Sequence, residues 1–176
     1  MVRVLSPTVA LLVVLAGCSA VPGNESPSVP DHRISITIAN NHDTSYVFRV
    51  TTIPPDVEGI EITYENGSTR AFDVSSFDGL PEEALRNATA TTTAGGEDLS
   101  KQFTVPPSGG FGTSIRGVPG DSVTVYFVSP ADEPETARSV GVVRCDRDTK
   151  NTELAVTIRL DGSLHAAVTC TDDSRT

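Results

Sequence analysis

Apolar and polar residues alternate with a period of two along most of the chain. The clearest example is the run in which Ile34, Ile36 and Ile38 are separated by Ser35 and Thr37. Such alternation, rich in Val, Ile, Thr and aromatic residues, is typical of half-buried antiparallel strands, because successive side chains of a strand point to opposite faces. The same pattern recurs in residues 46–51, 60–64, 99–105, 123–128, 140–145, 154–160 and 164–170.

Two corners with an Asn-Gly-Ser or Asp-Gly-Ser sequence connect pairs of these segments, at Gly67 and at Gly162. A three-residue loop ending at Gly67 places Phe72 and Val74 on the same face as the apolar residues of segment 60–64. A two-residue loop would place Phe72 on the opposite face. Because the buried face fixes the register, we expect type I turns in which both glycines adopt the left-handed conformation of a bulge.

The number of strand segments and turns predicts an all-β fold, an antiparallel β-sandwich of immunoglobulin-like kind with eight or nine short strands. At most one short helix is expected, at residues 81–86, where Pro precedes two acidic residues. The Val-Pro-Gly-Asp sequence at residues 118–121 suits a type II turn. The low-complexity residues 88–96 predict a flexible loop that could carry O-linked sugars. The core Trp typical of immunoglobulin domains is missing, because the chain has no Trp.

The first residues have the layout of a secretory signal. Arg3 precedes an apolar run at residues 9–16, which is too short to cross a bilayer comfortably. The sequence Leu-Ala-Gly-Cys that ends at Cys18 resembles the lipobox of prokaryotic membrane lipoproteins. The resemblance implies that residues 1–17 are removed and that a lipid on Cys18 holds the chain at the outer face of the cell membrane. The alternative is an ordinary signal peptide whose cleavage site lies near a Cys.

The rest of the chain divides into three parts. Residues 18–32 combine the lipidated Cys with a Pro- and Ser-rich stretch, which predicts a flexible tether. Residues 33–171 have the size of one domain and form the predicted sandwich. Residues 172–176 are expected to be a disordered tail.

The three cysteines are an odd number for an exported chain. If Cys18 carries lipid, Cys145 and Cys170 remain as a pair in a compartment that permits disulfides. We therefore predict a Cys145–Cys170 disulfide. The alternative is two free buried thiols.

Acidic residues outnumber Lys and Arg by 23 to 13, which gives a formal net charge of −10. No basic footprint for nucleic acid is present. The acidic, lysine-poor, Thr-rich composition resembles that of secreted proteins from halophilic archaea. A GC-rich bacterial genome is the alternative, since it also favours Arg over Lys.

The histidines do not form a catalytic or metal-binding motif. His32 lies in the predicted tether, His42 lies in the first hairpin corner, and His165 is expected to be exposed on a sheet. The pattern lacks zinc-ligand spacing. It also lacks the ligand set of a small blue-copper protein, because the only Met is Met1 and no His follows Cys170. We therefore predict neither catalytic residues nor a cofactor, although a triad assembled from distant residues stays an alternative.

Two polar clusters suggest weaker hypotheses. Four oxygen-bearing residues of one interstrand segment form a poor calcium candidate, because the turn-forming Gly is missing and Arg and Lys lie among them. They are Asp146, Asp148, Asn151 and Glu153. Asn66 and Asn87 begin Asn-X-Ser/Thr sequences and are candidates for N-glycosylation.

Taken together, these patterns predict a lipid-anchored surface sandwich that works by binding or structural association and is not an enzyme. Its expected contacts are the membrane through the lipid and an unidentified envelope protein or glycan, but not nucleic acid. One alternative is an accessory lipoprotein that binds a small ligand for a transporter or envelope complex. A secreted hydrolase with a non-local triad is the other.

Overall fold

The computed structural model describes residues 32–55, 57–73, 82–93, 99–146 and 148–172. These residues form eleven β-strands and one short 3₁₀ helix (Glu82–Leu85). The strands are β1 (His32–Asn40), β2 (Tyr46–Ile53), β3 (Gly59–Tyr64), β4 (Thr69–Asp73), β5 (Ala88–Thr93), β6 (Leu99–Val105), β7 (Gly109–Val118), β8 (Val123–Pro130), β9 (Ser139–Val143), β10 (Asn151–Ile158) and β11 (Leu164–Thr171).

The strands build three sheets. Sheet A has the order β11-β10-β1-β7, sheet B the order β6-β2-β8-β9, and sheet C the order β4-β3-β5. Of the eight strand pairings between described residues, seven are antiparallel, and β1 pairs with β10 in parallel. The predicted all-β sandwich class is thus confirmed, while the expectation of antiparallel strands fails for this one pair.

The main core lies between sheets A and B. The predicted apolar face of β1 is buried there, together with the inward residues of β10 and β2. Phe48 of β2 stacks against Tyr126 at 5.6 Å and against Phe103 at 6.2 Å between ring centroids. Phe103 in turn stacks on Phe111 of β7 at 4.5 Å. This aromatic row joins the two sheets along the edge where β6 and β7 lie close together.

A second core lies between the other face of sheet B and sheet C. Val125 and Phe127 of β8 pack there with Ile60 and Ile62 of β3. Burial of one such side chain contributes about 1.5–3 kcal/mol. All eight residues of β8 are consequently buried. The expectation of half-buried strands is wrong for β8, because its two faces are covered by different sheets.

The strand count exceeds the predicted eight or nine because two segments were not recognised as strands. Residues 88–93, predicted as part of a flexible loop, form β5, in which Ala88, Thr89 and Thr91 are buried. The other unrecognised strand is β7, whose Gly-rich start obscures the alternation. The remainder of the predicted loop, residues 94–96, lies outside the described residues.

The predicted Gly turns are confirmed. Gly67 and Gly162 have φ values of 75° and 76°. Ile60 pairs with Phe72, so Phe72 lies on the face of the apolar β3 residues, as a three-residue loop requires. Val74 lies outside the described residues.

The type II turn expected at residues 118–121 is wrong. The left-handed residue is Asp121 (φ 63°) rather than Gly120. The turn starts one residue later, where the amide and hydroxyl of Ser122 both donate to the carbonyl of Pro119. An Asp tolerates the left-handed conformation better than most residues.

The Cys145–Cys170 disulfide is present, with its Cα atoms 5.8 Å apart. It joins the segment after β9, at the edge of sheet B, to β11, at the edge of sheet A. The bond therefore closes the side of the main core where both sheets end.

His32 belongs to β1 and not to the predicted tether. The ring is buried, and its Nε2 lies 2.8 Å from Oγ1 of Thr152, which donates to Sγ of Cys145 at 3.0 Å. Because the single hydroxyl proton goes to sulfur, the imidazole donates from Nε2. Its Nδ1 is buried without a partner.

Burial lowers the pKa of His32 from its ordinary value of 6.5. Below that value the unfolded chain takes up a proton that the folded chain resists, so the free energy of unfolding should fall as the pH falls. We expect His32→Gln, whose amide can still donate to Thr152, to weaken this dependence. Denaturant unfolding of both proteins at about pH 8 and about pH 5 measures the difference, since the carboxylates contribute equally to each. An identical pH dependence in both proteins would contradict the assignment.

Candidate functional site

Four connections meet at the end of the sandwich farthest from His32, which we call the distal end. They are residues 41–45, 106–108, 131–138 and 159–163. The strand registers place them together, because Asn40 pairs with Gly109 and with Ile158. Tyr46 likewise pairs with Val105 and with Pro130. The described chain enters the domain at the opposite end, at the start of β1.

Asn40 holds two of these connections together. Its side chain is fully buried, and Nδ2 donates to the carbonyls of Thr44 and Pro106 at 2.9 Å each. A longer contact of 3.4 Å reaches the carbonyl of Val105. Oδ1 accepts the amide of His42 at 3.0 Å. One buried amide side chain thus satisfies backbone groups of both connections and ties them together.

His42 supports a third connection. The predicted hairpin corner is wrong here, because β1 and β2 belong to different sheets and residues 41–45 cross between them. The imidazole packs edge-on against Tyr46, with ring centroids 5.8 Å apart. A Cβ added at Gly162 would lie 3.6 Å from both Nε2 of His42 and the Tyr46 hydroxyl. The turn between β10 and β11 therefore packs against the side chains of His42 and Tyr46.

The tip of that turn exposes an apolar side chain. Leu160 is 83% exposed and lies between Arg159 and Asp161. Oδ1 of Asp161 accepts the hydroxyl of Ser163 at 2.6 Å and its amide at 2.9 Å, and these hydrogen bonds hold the pKa of the carboxyl below its ordinary value. Together with the left-handed Gly162, they fix the turn, so the Leu is presented on an ordered support.

Beside this tip lies an open cavity of about 730 Å³. Its lining residues are Asn41, Ser108, Arg159, Leu160 and Asp161. The lining combines one apolar anchor with amide, hydroxyl and charged groups of both signs. Such a mixture is typical of a protein-recognition surface, in which an apolar centre has a polar rim. Among the described residues we find no nucleophile paired with a base here.

The sequence-predicted site residues lie elsewhere. The four calcium candidates lie after Cys145 of the disulfide, in the segment before β10 and in its first residues: Asp146, Asp148, Asn151 and Glu153. The described residues contain no group of three or more His, Cys, Asp or Glu arranged to hold a metal ion. The calcium hypothesis gains no support. Cys18 lies outside the described residues. In the described part of the chain, no helix has the length and hydropathy needed to cross a membrane.

The two candidate glycosylation residues lie close together on sheet C. Asn66 and Asn87 are both exposed, and the carbonyl of Asn87 accepts the amide of Glu65 at 2.9 Å. His165 is exposed on β11, as predicted. None of these three residues lines the cavity beside Leu160.

The sequence analysis did not identify the distal site. One available signal was Leu160 itself, a large apolar residue at a turn position where polar residues are usual. Another was Asn40, a polar residue at a position where the alternation of β1 predicts a buried side chain. A buried Asn at the end of a strand indicates a connection that depends on side-chain hydrogen bonds.

The whole chain, residues 1–176, matches the family described as halobacterial Ig domain protein. No curated protein is significantly similar in sequence. The T6SS lipoprotein TssJ1 from Pseudomonas aeruginosa is 13% identical, with a TM-score of 0.41 over 81% of this chain and 98% of that chain. A protein from Eubacterium rectale is 8% identical, with a TM-score of 0.27 over 88% of this chain and 100% of that chain. At these scores neither structure bears on the fold or the function.

We expect Asn40→Asp to destabilise the domain by about 2–4 kcal/mol near neutral pH, because a buried carboxylate cannot donate to the carbonyls of Thr44 and Pro106. The matched control is Asn41→Asp, which makes the same change at the exposed neighbouring position. Denaturant unfolding measures both free energies. Equal small effects would show that Asn40 does not hold the connections together.

Proposed function

Because the chain belongs to the family of halobacterial Ig domain proteins, we propose that it is a non-catalytic module of the cell surface that binds an envelope protein through its distal end. Immunoglobulin-like sandwiches commonly present the connections at one end to partners. That general property is an analogy and does not identify the partner.

The exposure of Leu160 on a fixed turn is the observation that supports the proposal most strongly. A Leu that is 83% exposed contributes little to the stability of the folded monomer, whereas burial against a partner would remove its apolar surface from water. The side chains of Arg159 and Asp161 flank it and can form the polar rim of a contact. The fixed turn lowers the entropy that binding would otherwise cost.

A lipid on Cys18 would orient this surface. The proposed anchor precedes His32, and His32 lies at the end of the sandwich opposite Leu160. With residues 19–31 as a tether, the distal end would face away from the membrane. The formal net charge of −10 would also repel anionic lipid headgroups and hold the domain away from the membrane.

We expect Leu160→Ser to reduce partner recovery at least fivefold, because loss of a central apolar anchor weakens an interface strongly. The experiment is crosslinking on intact cells, purification through a C-terminal tag and mass spectrometry. The matched control is Val168→Ser, which removes another exposed apolar side chain (43% exposed) from β11.

The outcome distinguishes the proposed functions. Repeated recovery of one envelope protein, lost only in Leu160→Ser, supports the proposal. Equal recovery by both variants would place the contact elsewhere on the domain. Recovery of the monomer alone would contradict stable association and favour the accessory small-ligand alternative.

We expect Cys18→Ser to abolish lipid modification, because the thiol is the acceptor in the lipobox resemblance. In a detergent phase partition, the variant should move from the detergent phase to the aqueous phase if its signal is removed. If the signal stays uncleaved, the variant should keep residues 1–17 and carry no lipid, which intact mass measures. Ser19→Ala is the matched control and should partition as the native chain does. A native chain that carries no lipid by intact mass and partitions into the aqueous phase would show an ordinary signal peptide instead.

A further inference from the structure

One polar patch interrupts the apolar outer face of sheet B. Arg49 of β2 pairs with Gln102 of β6, and Thr51 pairs with Ser100 two residues further along. Both side-chain pairs are in contact: Nε of Arg49 donates to Oε1 of Gln102, and the two hydroxyls lie 3.0 Å apart. The patch lies at the β6 edge, next to the place where β5 of sheet C crosses β2.

Arg49 is held in place by neutral acceptors. Besides the 3.0 Å bond to Gln102, its Nη1 donates to the carbonyl of Pro134 at 2.8 Å. Among the described residues no carboxylate forms an ion pair with this guanidinium. Three of its five N–H groups are not used in these bonds. A half-buried, fixed cation that has no counterion among the described residues is unusual in a chain of formal net charge −10.

Thr91 supplies a second unused donor. The residue is only 3% exposed, and its Oγ1 is buried without a hydrogen-bond partner. Thr51 donates its own proton to the carbonyl of Thr91 at 3.2 Å. The Thr51 oxygen therefore accepts a hydrogen bond from the Ser100 hydroxyl, and the Ser100 oxygen can still accept a hydrogen bond itself. A buried hydroxyl without a partner destabilises the free protein, and a ligand that accepts its proton would offset that cost.

These groups surround one cavity of about 350 Å³. Its lining includes Arg49, Thr51, Thr91, Ser100 and Gln102, and Phe127 lies beside them. The volume is at the lower end of the range for small-molecule sites. The donors are charged or neutral N–H and O–H groups, the acceptor is a hydroxyl oxygen, and the aromatic ring adds an apolar wall.

We propose that this cavity binds a small organic carboxylate that also carries hydroxyl groups, such as a sugar acid. Two N–H groups of Arg49 would hold the carboxylate in the planar geometry that a guanidinium favours. The Thr91 hydroxyl would donate to the same carboxylate, and Ser100 would accept a ligand hydroxyl. This cavity shares no lining residue with the cavity beside Leu160, although Arg49 bonds to Pro134 of the connection 131–138. The proposal does not rest on the function proposed above.

The test is isothermal titration of the full mature domain with two probes at fixed ionic strength, because salt weakens contacts between charges. D-Glucuronate carries the carboxylate, and D-glucose is the matched probe without it. We expect glucuronate to bind and glucose not to bind. Arg49→Gln should weaken glucuronate binding at least tenfold, whereas Arg116→Gln, an exposed Arg on β7, should leave it unchanged.

Thr91→Val keeps the shape of the side chain and removes only the hydroxyl. We expect it to weaken glucuronate binding roughly tenfold while the thermal midpoint stays the same or rises, because the hydroxyl has no partner in the free protein. This variant decides the question even if Arg49→Gln fails to fold. Absence of glucuronate binding, equal binding of glucose, or full affinity in Thr91→Val would each overturn the proposal.

Discussion

The burial of sheet B on both faces is the constraint on which the rest of the structure depends. Because β8 has apolar side chains on either face, one partner sheet cannot cover it, and the fold requires both sheet A and sheet C. Tyr126 of β8 points into the main core and Phe127 into the second. A Cβ at Gly141 would overlap the ring of Tyr126, so the edge strand β9 needs a Gly where it pairs with this residue of β8.

Because sheet A covers one face of sheet B and sheet C the other, the exposed polar side chains of sheet B lie at its edge. Sheet C has three strands and sheet B has four. Next to the crossing of β5 and β2, Arg49 is half-buried and its partner Gln102 is exposed, because sheet C does not cover the whole of sheet B. Such a location can hold a charge with little water around it, which strengthens its electrostatic interactions with a ligand. At the opposite edge, the Cys145–Cys170 disulfide closes the main core instead.

Each end of the sandwich has a buried polar side chain, but the two side chains support different surroundings. At the end where β1 begins, His32 is buried beside Thr152 and the disulfide. At the distal end, Asn40 is buried to organise connections that are themselves exposed. Buried polar side chains thus fix the geometry of both ends, but in the described part of the chain the distal end alone combines such a support with a largely exposed apolar residue, Leu160. This asymmetry distinguishes the end at which β1 begins from the candidate recognition end.

The sequence by itself determined the features that depend on neighbouring residues. Period-two alternation located most strands, Gly67 and Gly162 set two turns and their registers, and cysteine counting gave the disulfide. Only the tertiary structure decided that residues 88–93 form a strand and that β1 runs parallel to β10. It alone brought Arg49 beside Thr91. The physical reason is that local patterns follow from backbone geometry, whereas the element that covers a face depends on apolar surface contributed by segments far apart in the chain.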